Sequence, residues 1–113
     1  MATRRFFVAL VLLSLSFSSF AMDLATYKKL KKISPDYAKL YVQGVASGFE
    51  WSNTLNESRK VKPLFCSPSK LSLNGDNYFQ ILEKELAGSS KNAKDTAQIE
   101  LILFIGLVKT FPC

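Results

Sequence analysis

The chain has 113 residues, with 15 Lys and Arg against 9 Asp and Glu, two cysteines and no histidine. Without histidine there is no imidazole metal ligand, no Ser–His or Cys–His nucleophilic pair and no histidine general base. If the two cysteines are oxidised, only carboxylates, lysines and hydroxyls remain for chemistry, so the composition points away from an enzyme and implies no metal or cofactor.

The first 21 residues read as a secretory leader. Arg4 and Arg5 form a basic start, Phe6 to Phe20 contains only apolar residues and serines, and Ser19-Phe20-Ala21 puts small residues where a signal peptidase reads. The alternative is an uncleaved membrane anchor, for which about 15 residues is short. Cleavage after Ala21 leaves a mature domain of residues 22–113 and lowers the formal charge from +6 to +4, because both arginines leave. The processed chain is expected in an oxidising compartment outside the cytoplasm, where nucleic acid is not an expected partner and no membrane attachment remains. In that oxidising compartment, Cys66 and Cys113 are the two thiols available and are expected to pair. Closing a loop of about 48 residues stabilises a fold by roughly 4 kcal/mol in the chain-entropy description.

Met22 to Ile33 has the spacing of a short amphipathic helix. Leu24, Tyr27, Leu30 and Ile33 are expected inward, and Lys28, Lys29, Lys31 and Lys32 outward. The lysines read either as a solvated face or as a docking patch for an acidic surface. Ser34-Pro35-Asp36 then starts a long helix, since serine caps, proline suits the first turn and aspartate suits the positive end. This helix is expected to reach about Asn56. Tyr37, Leu40, Tyr41, Gly44, Val45, Gly48 and Trp51 or Ser52 form its inward stripe, widened by Ala38, Val42, Phe49 and Leu55. Each glycine inside a helix costs about 1 kcal/mol relative to alanine. Gly44 and Gly48 are therefore expected to admit another backbone, that of the last helix at Gly106.

Periodicity is lost from Glu57 to Gly75, where Pro63 and Pro68 interrupt any helix and Leu64, Phe65, Leu71 and Leu73 offer apolar anchors. A connection this long is usually functional or disordered, and the staple at Cys66 disfavours disorder. Asp76 or Asn77 starts a third helix through Leu86-Ala87, with Tyr78, Phe79, Leu82 and Leu86 inward and Glu83, Lys84 and Glu85 outward. Gly88 to Asn92 is a polar turn, followed by a last helix capped by Asn92 or Ser90.

That last helix is the most apolar stretch of the mature chain. Ile99, Ile102, Leu103, Gly106, Leu107 and Thr110 share one face, while Leu101, Phe104, Ile105 and Val108 cover the flanks. A helix apolar on nearly all sides belongs in an interior. It is expected to be wrapped by the rest of the chain or shared with a second copy in a homodimer. Tyr41, Gly44, Gly48, Phe104 and Leu107 are the candidates for core or dimer interface. The whole reads as an all-α, disulfide-stapled domain of about four helices.

With these elements placed, the chain resembles the resistance-associated (Rap/Tai type) immunity proteins of type VI secretion systems. The landmarks are Tyr41-Val42-Gln43-Gly44-Val45-Ala46-Ser47-Gly48, Phe65-Cys66-Ser67-Pro68, Leu82-Glu83-Lys84-Glu85-Leu86 and the close Leu107-Val108-Lys109-Thr110-Phe111-Pro112-Cys113. The resemblance runs from about Pro35 to Cys113. It implies an all-helical, disulfide-bonded, often dimeric periplasmic inhibitor that binds the active-site cleft of a peptidoglycan amidase effector. No catalytic residue carries over.

Segments free to protrude are the stapled loop, with Arg59, Lys60, Lys62 and Lys70, and the turn carrying Ser89, Ser90 and Lys91. Each reads either as a partner-binding segment or as plain surface connection. A small periplasmic stress chaperone or general envelope binding protein is the alternative function, and a structural subunit of an envelope complex is a third.

Overall fold

The computed structural model describes residues 21–68 and 73–113. The leader, apart from Ala21, and Lys70 and Leu71 of the loop lie outside the described residues. Four helices follow in order: α1 (Leu24–Ile33), α2 (Pro35–Ser58), α3 (Gly75–Ala87) and α4 (Ile99–Thr110). Among the described residues there is no strand, only one isolated antiparallel bridge between Asp23 and Gln98. The expected all-α class holds, and Cys66 is joined to Cys113.

Helix α1 starts where the Asp23 carboxylate accepts a hydrogen bond from the Thr26 amide at 2.8 Å. It ends because Pro35 forces the preceding Ser34 out of helical geometry, and Pro35 at once begins α2. Leu24 and Tyr27 are buried as expected, but Ile33 is 83 % exposed. Steps of three residues fall about 60° short of a full turn, so the row Leu24, Tyr27, Leu30, Ile33 spirals off the buried face. Lys31 lies nearer that face and is not part of a solvated lysine cluster. Its ammonium pairs with Glu83 of α3 at 2.9 Å, and the Tyr27 hydroxyl donates to the same carboxylate at 2.6 Å. Burial, and then Glu83, push the Tyr27 phenol well up.

Helix α2 has the expected start and runs two residues beyond the expected end, but it is rotated about its axis by roughly 100° relative to the expected stripe. Ala38, Val42, Ala46 and Asn53 are buried, whereas Tyr37, Leu40, Trp51 and Leu55 are exposed. Small side chains decide this, because Ala38 and Ala46 let neighbouring helices approach more closely than a row of aromatics could. Gly44 and Gly48 face open space, with nothing within 4 Å of an added Cβ at either. The expected crossing of the last helix at these glycines is therefore absent. Gly106 packs instead on α3, where a Cβ would stand 3.0 Å from Ile81 Cγ2 and 3.3 Å from the Ile81 carbonyl oxygen.

Helix α3 begins at Gly75, earlier than expected, behind a reciprocal cap. The Asn77 amide donates to the Asn74 side chain and the Asn74 amide donates to the Asn77 side chain, both at 3.0 Å. Tyr78 and Leu82 are buried as expected, and so is Glu85, which was expected outward. Glu85 lies three residues after Leu82 and seven after Tyr78, on the same face.

Helix α4 starts at Ile99, well after the expected caps at Ser90 or Asn92. The backbone just before it is engaged elsewhere. Leu24 and Ala25 amides donate to the Ala97 and Asp95 carbonyls, and the Ile99 amide donates to Met22. A strap formed by Met22 to Ala25 thus competes with helix formation there. Within α4 the expected face holds at Ile99, Ile102, Leu103, Gly106 and Leu107, all buried, while Thr110 is exposed. Among the described residues the helix is not wrapped all round. It packs on α3 and α2, and its outer side leaves Leu101 59 % exposed and Val108 partly so.

Candidate functional site

The loop after α2 is built from the helix end outward. Arg59 caps α2, the Lys60 amide donates to Glu57 and the Val61 amide donates to Asn56 at 2.8 Å. These two bonds are those of a Schellman ending, in which the left-handed position usually holds glycine. Here it holds Lys60, at φ 56°. A left-handed backbone costs a non-glycine residue roughly 1–2 kcal/mol. The cost sits among the exposed side chains of Arg59, Lys60, Val61 and Lys62.

Four tethers hold the next residues. Phe65 is buried in the core. The Asn53 side chain donates to the Phe65 carbonyl and accepts from the Leu64 amide, both at 2.8 Å. The Cys66 amide donates to the Phe111 carbonyl at 2.8 Å, beside the disulfide. Finally, the Ser67 hydroxyl donates to Glu50 at 3.1 Å. The Glu50 carboxylate also accepts from Tyr78, whose phenol is pushed up to about 12 by burial first and the Glu50 charge second. A cleft of about 240 Å³ opens between this part of the loop and α2, lined by Glu50, Asn53, Thr54, Glu57, Phe65 and Ser67 with Cys66 at its edge. The loop is thus fixed at Leu64 to Ser67, while Arg59, Lys60 and Lys62 are exposed. Asn53 escaped the sequence reading because a polar residue in a helix carries no sign that it will clamp a loop.

The second segment, Gly88 to Asn92, is also anchored. Ser89 and Ser90 hydroxyls donate to Glu85 Oε1 at 2.6 and 2.8 Å. Lys109 of α4 donates to the same oxygen at 3.0 Å and to the Ser89 hydroxyl. Burial pushes the Glu85 carboxyl up, but the bonds from Ser89, Lys109 and Ser90 outweigh it and hold the group below its ordinary value. Ser89 and Ser90 are therefore turned partly toward a buried carboxylate, and Lys91 is the exposed, unanchored member of the three.

A third surface lies on α2 and α4. Phe49 and Phe104 pack with ring centroids 5.3 Å apart, so Phe104 belongs to the seam between these helices. Leu107 is fully buried and Tyr41 is half-buried. Of the five core-or-interface candidates, then, Gly44 and Gly48 are the two outside the core. Helical geometry puts them with Tyr37 and Leu55 on the outer side of α2, away from Ala38, Val42, Ala46 and Asn53. No helix among the described residues is long and apolar enough to cross a membrane.

No family model, curated protein or solved structure matches the chain.

Proposed function

We propose that the chain is an exported, periplasmic immunity protein that binds and inhibits a type VI secretion peptidoglycan amidase, protecting the producing cell and its siblings. The observation that carries this reading is the clamped loop. The disulfide ties Phe65-Cys66-Ser67-Pro68 to Phe111-Pro112-Cys113, so the two sequence landmarks most specific to the immunity resemblance form one structural unit. That unit holds a basic, partly strained segment outward from a rigid base. An inhibitor needs such a base, because a loop ordered before binding loses less entropy when it fills a cleft. In this reading Arg59, Lys60 and Lys62 meet acidic groups at the cleft rim, and Lys91 marks the second contact.

The protein acts as a homodimer in this account. The partner for the open face of α2 is a second copy. On α2 alone, Tyr37, Trp51 and Leu55 leave on the order of 400 Å² in water, about half of the roughly 800 Å² per partner of a standard interface. Gly44 and Gly48, four residues apart with open space above both, allow close approach of two α2 helices. Light scattering of the mature protein should give a dimer mass at tens of micromolar; a monomer mass there contradicts this assembly.

The functional test is calorimetric affinity for the type VI secretion amidase proposed as the partner, with circular dichroism of each variant. Reversing charge at Arg59, Lys60 and Lys62 together, or replacing Ser89-Ser90-Lys91 with bulkier acidic residues, should weaken binding while the helical signal is kept. If both variants stay folded and bind as tightly as wild type, these segments are not the contact surface.

A further inference from the structure

The start of the domain at Met22 is held by a group of contacts separate from the loop, the turn and the outer face of α2. The Met22 nitrogen lies 3.1 Å from Glu100 Oε1 and 3.3 Å from the Tyr41 hydroxyl oxygen. The Tyr41 hydroxyl donates to the same Oε1. The second carboxylate oxygen, Glu100 Oε2, is buried and has no hydrogen-bond partner among the described residues. None of the ion pairs formed there, Lys31–Glu83, Lys39–Asp76 and Lys109–Glu85, involves Glu100.

Met22 cannot drift from this position. Its carbonyl accepts from the Ile99 amide at 3.1 Å, and the following Leu24 amide donates to Ala97 at 2.8 Å. The Asp23–Gln98 bridge lies between them. Ala21, one residue earlier, is exposed.

In an uncut chain the Met22 nitrogen is an amide with a single N–H and no charge. It offers one hydrogen, already shared between Oε1 and Tyr41, and nothing to Oε2. A partly buried carboxylate with an unmet oxygen and no countercharge is costly. Hydrolysis of the Ala21–Met22 peptide bond changes the donor and not its place. Water adds its hydroxyl to the Ala21 carbonyl carbon, the C–N bond breaks, and at neutral pH the products are an Ala21 carboxylate and a Met22 α-ammonium. That ammonium has three N–H groups and a full positive charge. It can serve both Glu100 oxygens at once, in a charge-assisted arrangement stronger than an amide bond.

We propose that Glu100 and Tyr41 form a receptor for the α-ammonium of Met22, so that removal of the leader completes an ion pair that the precursor lacks. The inference rests on the export reading and not on any partner. It makes processing a stabilising event. The precursor is less stable than the processed chain by the value of this pair, which favours translocation before folding.

Intact mass and N-terminal sequencing of the exported protein should place Met22 first; a different first residue overturns cleavage after Ala21. The pair itself is read by a thermal-unfolding cycle on oxidised protein. Chains beginning at Met22, and chains with Gly-Ser placed before Met22, are compared with Glu100 and with Glu100→Gln. With Glu100 present, the extension should lower Tm by about 4 °C or more. With Glu100→Gln, the two chains should melt within a degree or so of each other. Tyr41→Phe supplies a second background, which keeps the carboxylate and should keep the extension penalty. An extension penalty of equal size with and without Glu100, or none at all beside a confirmed Met22 terminus, overturns the receptor while leaving export intact.

Discussion

Lys60→Gly separates stability from binding at one residue. At φ 56° Lys60 occupies the left-handed region, which costs a residue with a Cβ roughly 1–2 kcal/mol and glycine almost nothing. Against that relief stands the greater freedom that glycine gives the unfolded chain, worth about 0.5–1 kcal/mol. The Schellman bonds from the Lys60 and Val61 amides do not need the side chain. The balance favours glycine by about 0.5–1 kcal/mol, and for a domain of this size the melting temperature should rise by roughly 3–6 °C. Circular dichroism melts of the oxidised mature protein measure this. If Lys60 also meets the amidase, the same variant should bind more weakly in calorimetry although it is more stable. A lower melting temperature would mean that the left-handed Lys60 backbone carries no net cost, and unchanged affinity would remove Lys60 from the contact.

Three further outcomes follow from other parts of the fold. Asn53→Ala strands the Phe65 carbonyl and the Leu64 amide, and should destabilise by about 2–4 kcal/mol in urea unfolding. A loss below about 0.5 kcal/mol means that water replaces the clamp. Gly106→Ala should destabilise by about 1–2 kcal/mol in the same measurement, because the rigid Ile81 carbonyl stands at 3.3 Å from the new Cβ and outweighs the gain in helix propensity. Glu85 has a lowered folded-state pKa, so its contribution is present above the unfolded value of about 4.3 and is lost as pH falls through the folded value. Glu85→Gln should therefore flatten the acid side of a stability–pH curve, and parallel wild-type and variant curves below pH about 4.3 would contradict this.

The sequence carried the features set by local chemistry. Ser34-Pro35 fixed the junction of α1 and α2, the two cysteines had one possible pairing, and Ile99, Ile102, Leu103 and Leu107 marked the buried face of α4. It misled where two readings of one helix were both apolar. In α2 the bulky row Tyr37, Leu40, Tyr41, Trp51 looked more like a core than Ala38, Val42, Ala46, Asn53, yet small residues pack closer to neighbouring helices. Long-range polar partners were not legible at all. Glu85 is buried because Lys109, Ser89 and Ser90 surround it, and α4 starts late because Met22 to Ala25 occupy the backbone before it. Of the proposed contact surface, Arg59 and Lys62 were legible as exposed basic residues of a stapled loop. The left-handed Lys60 and the Asn53 clamp depend on how α2 ends and which way it faces, which no residue pattern states.

The most direct measurement is peptidoglycan cleavage by the type VI secretion amidase proposed as the partner, titrated with oxidised protein beginning at Met22. The account predicts that cleavage is lost at about one equivalent of protomer, with a tight-binding titration curve. Undiminished cleavage at a large molar excess of folded, disulfide-bonded protein contradicts it.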